Sequence, residues 1–192
     1  GYDSKLLGVI LLKDILRENS KRALERLRQS GVKEIIMLTG DTKQKAAQIA
    51  KELGINRYYA ELLPTQKAEI LEQIMQEGKK VAFVGDGIND APALIKADTG
   101  IGMHKGADIA KASADVVLLR DDIEAVAEAR ELAIACLNKV QRNFKITVGI
   151  NSLILGLATF GKLSAIQTAF AHNGTTIALL FNAIQKIKVK KE

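Results

Sequence analysis

The chain has 192 residues, 47% of them hydrophobic and 4% aromatic, with one cysteine and no tryptophan. It can therefore build a core, which excludes a disordered or collagen-like chain, while the lone Cys136 excludes a disulfide framework and a cysteine-only zinc site. The net charge of +6 is local: eight of the 28 Lys and Arg but only one of the 22 Asp and Glu lie in residues 136–192, beside long uncharged runs, which argues against a nucleic-acid groove.

The apolar run Leu6–Leu12, ending in Lys13-Asp14, has the length of a buried strand. Asn19 or Ser20 then caps a helix in which Ala23, Leu24 and Leu27 keep helical spacing until Gly31. Residues 34–38 read as a second buried strand, with Thr39-Gly40-Asp41 at its end. A helix over 42–53 stops at Gly54, and Pro64 opens another over 65–76. Residues 81–84 form a third strand, followed directly by Gly85-Asp86-Gly87-Ile88-Asn89-Asp90. Weaker strands fall near 99–103 and 115–119, and a helix over 122–137 closes this part. Strands alternating with helices through short glycine-bearing turns predict an α/β fold, a Rossmann-like parallel sheet. In such sheets ligands bind off the carboxyl ends of the strands, where Thr39, Asp41, Asp86 and Asp90 all lie.

The last third differs. Residues 146–161 and 163–185 carry no formal charge if His172 is neutral, and basic residues precede the first run and follow the second. Length and flanking charge predict a hydrophobic helical hairpin, two membrane spans with both ends cytoplasmic and membrane lipid as their surroundings. Thr, Asn, Gln and His interrupt the second run. The competing reading is a helical hairpin packed on the sheet. Glycines 100, 102 and 106 follow G-x-G-x-x-x-G, one residue too long for a dinucleotide loop, and read as turn glycines.

A phosphoryl group on a carboxylate needs donors for its equatorial oxygens, a cation for developing charge, and a carboxylate to hold Mg²⁺. Thr39 and the Gly40 amide can supply the first and Lys67 the second. Asp86 and Asp90, four residues apart at a turn entering a helix, can supply the third, since Mg²⁺ takes one or two carboxylates and keeps waters. Each piece alone is weak, because a lone Asp after a strand is more often a helix cap. Residues 85–94, Gly-Asp-Gly-Ile-Asn-Asp-Ala-Pro-Ala-Leu, following Thr39-Gly40-Asp41, are specific together.

Those motifs resemble the P-type ATPases, whose phosphorylation domain belongs to the haloacid dehalogenase-like superfamily. Asp14-Ile-Leu-Arg17 looks like the family's hinge between nucleotide-binding and phosphorylation domains, with Glu18 where a Pro is usual. Thr39-Gly40-Asp41 matches its second phosphate motif, Pro64-Thr65-Gln66-Lys67 its lysine segment, and residues 85–94 its magnesium motif. The resemblance implies that Thr39, Gly40, Asp41, Lys67 and Asn89 serve catalysis and phosphate binding, with Asp14 and Arg17 on the nucleotide side. It also implies that Asp86 binds Mg²⁺, while Asp90 either ligates the ion or orients Lys67, and that ATP is the phosphoryl donor.

The family's nucleophile string, Asp-Lys-Thr-Gly-Thr, is absent. Asp14 ends a strand and precedes Thr39, but Leu16 stands where small phosphatases of the superfamily want an acid and P-type ATPases a Thr. The simpler reading is that the chain starts after the nucleophile, so that residues 1–18 end the nucleotide-binding domain and hinge, 19–135 belong to the phosphorylation domain, and 136–192 are a connecting helix, two spans and a basic tail. Two runs before a polybasic end resemble the heavy-metal-transporting subgroup. Asn151, His172 and Thr175 are then candidate contacts for a transported transition-metal cation; helix–helix hydrogen bonding explains Asn151 and Thr175 equally well, whereas the His172 imidazole favours the metal. The expected partner is the missing N-terminal part of the same transporter, in a multi-pass membrane protein, and the isolated chain is expected to transport nothing. The alternative is a soluble haloacid dehalogenase-like phosphatase or phosphate-binding domain with a helical interaction hairpin.

Overall fold

A computed structural model describes residue 16 and residues 19–187. The expected strand over Leu6–Leu12 and the hinge residues Asp14 and Arg17 lie outside the described residues. The chain divides into two compact units, Gly1–Ala127 and Glu128–Glu192.

The first unit alternates α1 (Ser20–Gln29), β1 (Ile36–Leu38), α2 (Lys43–Leu53), β2 (Arg57–Tyr59), α3 (Pro64–Gln76), β3 (Ala82–Gly85), a single 3-10 turn (Ile88–Asp90), α4 (Ala91–Lys96), β4 (Thr99–Gly102), α5 (Asp108–Ala112) and β5 (Val116–Val117), and reaches the start of α6 (Glu124–Thr159). Among the described residues all strand pairing is parallel, in two ladders: β1 beside β2, and β3–β4–β5. The expected α/β class and parallel pairing hold. The strand β2 has no counterpart in the sequence reading, because Arg57-Tyr58-Tyr59 is short and lacks an apolar run.

Helix ends follow the glycines. Gly54 takes φ 63°, its N–H donates to Lys51 O and that of Ile55 to Ala50 O, which answers the last carbonyls of α2. Gly31, at φ 92°, ends α1 in the same way. Pro64 opens α3, where the Gln66 side chain accepts the Leu63 N–H at 2.8 Å. The core collects Leu24 and Leu27 of α1, Leu71 and Ile74 of α3, Leu94 of α4, and Ile101 and Leu118 around β4 and β5. Gly100 is demanded by packing, since a Cβ there would run into the Leu94 carbonyl oxygen.

The second unit is a helical pair, the body of α6 and α7 (Ala165–Ile184). The helix expected to end near residue 137 continues unbroken to Thr159. Gly161, at φ 68°, stops it, with Gly161 N–H on Ala158 O and Lys162 N–H on Leu157 O. Ser164 then caps α7: its hydroxyl accepts from Gln167 N–H at 3.3 Å, and the Gln167 side chain accepts from Ser164 N–H at 2.9 Å.

The expectation of two membrane-spanning helices needs correction. Among the described residues no helix is long and apolar enough to cross a membrane. In α6 the uncharged portion within the helix begins after Lys145 and ends at Thr159, about 21 Å at the helical rise, against a hydrocarbon core of about 30 Å. The helix α7 has the length, but Gln167, Thr168, His172, Asn173, Thr175, Thr176 and Asn182 dilute its apolarity. It buries no residue, and Phe170, Ile177, Leu180, Phe181 and Ile184 are exposed.

At the base of β2 an exposed ion network joins Glu34, Arg57, Glu77 and Lys79. Hydrogen bonds from Lys79 hold both Glu34 and Glu77 below the ordinary carboxylate range. A carboxylate with a depressed folded-state pKa stabilises the fold above its unfolded value and loses that contribution as pH falls through the folded one. Between about pH 5 and 3, the denaturant midpoint of the unmodified chain should therefore fall more steeply than that of Glu34→Gln/Glu77→Gln. Parallel denaturant titrations measure the difference, which is small because solvent screens the network.

Candidate phosphate site

Two clusters occupy the carboxyl ends of β1 and β3. At the end of β1 the Thr39 hydroxyl lies 3.3 Å from Asp41 Oδ2 and accepts the Asp41 N–H at 3.1 Å, closing a tight polar turn. Lys45, one turn into α2, holds Asp41 Oδ1 at 3.3 Å. The turn is pinned from behind by the segment after β2. Thr39 N–H donates to Tyr59 O, Glu61 N–H to Asp41 O and Leu62 N–H to Thr39 O. Glu61 reaches this position at φ 58°, left-handed backbone that costs a non-glycine residue about 1 kcal/mol. Its carboxylate meets the first N–H of α2, that of Lys43, at 3.4 Å.

The second cluster is built on the turn after β3. Asp90 is buried, 8% exposed, and uses both carboxylate oxygens. Oδ1 accepts from Lys67 Nζ at 2.7 Å, and Oδ2 accepts the N–H groups of Asp86 and Gly87, each at 3.3 Å. Lys67 is placed for this one turn into α3, at the depth that Pro64 sets. Gly85 makes the arrangement sterically possible, since a Cβ there would lie 2.6 Å from Asp90 Cβ. Gly106 does the same on the other side, where a Cβ would lie 2.9 Å from Asp86 O. Asp86 and Asn89 are exposed, so their side chains are open to a ligand.

The structure thus brings Lys67, Asp86 and Asp90 together, and separately Thr39, Gly40 and Asp41. The two groups stand on different ladders, both at strand carboxyl ends. Sequence reasoning missed Lys45 and Glu61. Lys45 was findable, being four residues after Asp41 on a predicted helix. Glu61 was not, because nothing in Ala-Glu-Leu announces left-handed backbone.

In the second unit His172 Nδ1 lies 3.1 Å from Asn151 Oδ1, and Asn182 Nδ2 donates to Asn143 Oδ1 at 2.7 Å. Thr175, the third candidate there, donates to Ala171 O of its own helix and joins neither pair. Among the described residues no group of three or more His, Cys, Asp or Glu could hold a metal ion.

The haloacid dehalogenase-like hydrolase sequence family matches residues 2–98, and the chain belongs to it. The relatives are heavy-metal P-type ATPases, as the motifs implied. Over 99% of its length the chain is 38% identical to a zinc-exporting P-type ATPase of Mycobacterium marinum, and it covers 26% of that protein. Over 98% of its length it is 37% identical to a copper-exporting P-type ATPase of Bacillus subtilis, covering 23%. The crystal structure of a zinc-transporting PIB-type ATPase in its E2.Pi state superposes with a TM-score of 0.82 at 35% identity, over 90% of this chain and 28% of the other. The chain spans about a quarter of the length of the curated relatives it matches.

The two acids of the second cluster should part company on mutation. Asp90→Asn removes the charge facing a largely buried Lys67 and should cost about 2 kcal/mol in stability. Asp86→Asn, on an exposed side chain, should change stability by less than about 0.5 kcal/mol. Thermal unfolding of the two variants beside the unmodified chain measures both.

Proposed function

We propose that the chain is the phosphate- and Mg²⁺-holding part of the phosphorylation domain of a heavy-metal-transporting P-type ATPase, continued by two helices of that transporter's membrane part. The observation that carries this reading is the division of labour at the end of β3. Asp90 is fully engaged by Lys67 and two amides, which leaves Asp86 as the free carboxylate beside a fixed cation. A buried anion that positions Lys67 and an open one that can take a hydrated ion suit a phosphoryl-transfer site.

In the intact transporter, a carboxylate oxygen of an aspartate from the preceding part of the same protein would bond to the γ-phosphorus of ATP as the bond to the bridging oxygen breaks and ADP leaves. The Thr39 hydroxyl, the Gly40 amide and Asn89 hold the phosphoryl oxygens, and Asp41 is oriented for its role by Lys45. Lys67 offsets the charge that develops. Asp86 would hold Mg²⁺, with Asp90 acting through Lys67 rather than as a first ligand; the ion would supply further neutralisation of phosphoryl charge. Asp14 and Arg17 would serve the nucleotide side, as the resemblance implies. Residues 1–18, 19–135 and 136–192 then serve as hinge, phosphorylation domain and membrane part. The imidazole of His172 and the amide oxygen of Asn151, with the nearby Thr175, suit a transition-metal cation in transit. The relatives export zinc in one case and copper in another, so the cargo is named only by that class. The exposed apolar faces of α6 and α7 are covered by helices of the preceding part and by lipid.

A second reading has one observation in its favour, the lack of a helix apolar enough to cross a membrane among the described residues. It makes the chain a phosphatase-like domain whose hairpin binds a protein partner.

Three measurements separate the readings. The isolated chain, given Mg²⁺ and radiolabelled ATP, should form no hydroxylamine-sensitive phosphoenzyme, and a chain extended by its preceding part should form one that Asp86→Asn abolishes. Mg²⁺ affinity of the isolated chain, by calorimetry, should fall at least about tenfold in Asp86→Asn, one lost carboxylate ligand on a bound divalent ion being worth that much. The chain should float with neutral phosphatidylcholine vesicles. Hydrolysis of p-nitrophenyl phosphate by a chain that stays off vesicles would establish the second reading instead.

A further inference from the structure

Both ladders of the first unit stop short of a full sheet. One edge of β1 pairs with β2 and one edge of β3 with β4, and among the described residues nothing pairs with the second edge of either. Natural sheets guard their outer edges with charge or keep them very short. The strand β2, whose Arg57 meets Glu34 and Glu77, and the two-residue β5 are edges of that kind. β1 and β3 are not. Ile36-Met37-Leu38 and Ala82-Phe83-Val84-Gly85 have the continuous apolar make-up of strands covered on both faces, yet only Gly85 among them is buried. Their composition is that of central strands and their exposure that of edges.

The two unguarded edges suit one strand between them. Lys79, ahead of β3, meets Glu34, ahead of β1, at 2.7 Å. An extended lysine–glutamate pair reaches across two strand spacings, about 9.6 Å, the room that one inserted strand takes. Joined through such a strand, β2–β1 and β3–β4–β5 read as the doubly wound order 3-2-1-4-5-6 with its first member left out. By that order the absent strand precedes α1 in the chain, and the apolar run ahead of α1 is Leu6–Leu12. From there the chain reaches β1 through α1, the helical crossover that parallel neighbours require.

We propose that in the chain on its own Leu6–Leu12 inserts between β1 and β3 as a parallel strand and unites the two ladders into one sheet. Its carboxyl end then lies at the rim between Thr39 and Asp86, where the strand order reverses. In the intact transporter the same run would belong to the preceding domain, so the insertion is a property of this chain without that domain. It does not depend on what the rim binds.

Hydrogen exchange of the full chain, followed by mass spectrometry, tests the insertion. Residues 6–12, 36–38 and 82–85 should exchange slowly. Ile10→Asp, which sets a charge in the inserted strand, should speed exchange at 36–38 and 82–85 by at least about tenfold. Cysteine pairs in a Cys136→Ser background give a second readout that perturbs the sheet less. Of Gly8→Cys, Val9→Cys and Ile10→Cys, at least one should form an intramolecular disulfide with Met37→Cys and, in a separate chain, with Phe83→Cys, since neighbouring strands lie within disulfide reach. Unchanged exchange at 36–38 and 82–85 in Ile10→Asp would overturn the insertion, as would failure of all three cysteines to reach both positions. Disulfide-linked dimers in place of the intramolecular bond would overturn it too, and assign the two edges to a second copy of the chain.

Discussion

The first unit turns on one buried carboxylate. Asp90 has little room to move, since Gly85 lies against its Cβ, and both of its oxygens are taken. Burying a charge is costly unless it is paired and hydrogen-bonded, and here the pairing joins two separate parts of the chain. Lys67 arrives from α3, while the two amides come from the turn that carries Asp86. Whatever fixes Asp90 therefore fixes Lys67 and the backbone of Asp86 relative to one another. The carboxylate that looks most like a metal ligand by spacing is the one least available to be one.

Much of this was legible in the sequence, and the reasons are local. Gly31, Gly54 and Pro64 mark helix ends because their backbone limits act within one turn, and the alternation of apolar runs with those markers is enough to specify parallel strands joined by helices. The strand carboxyl ends then collect the polar motifs. The roles within the motif were harder to read. Asp86 and Asp90 are the same residue type four positions apart, and only the folded turn, with its amides aimed at Asp90, distinguishes them. Glu61 escaped for a related reason, since left-handed backbone imposed by the β1 turn leaves no trace in residue type.

The helical pair was misjudged in a more instructive way. Absence of charge is not a measure of apolarity. An uncharged stretch containing His172, Asn173, Thr175 and Thr176 still carries groups that need hydrogen-bond partners, and some of them find partners in the neighbouring helix or in their own backbone. The helix read over 122–137 continues as α6, with no glycine or proline before Gly149 to stop it.

Those polar groups have a mechanical consequence. Lys139 on the last carbonyls of α7, Asn143 on Asn182 and Asn151 on His172 tie the two helices at three heights. A slide of one helix past the other by a single turn would break all three at once. Gradual slippage is therefore uphill from its first step. The pair behaves as a pinned lever rather than as two sliding rods, able to tilt or translate whole but not to shear along its own seam.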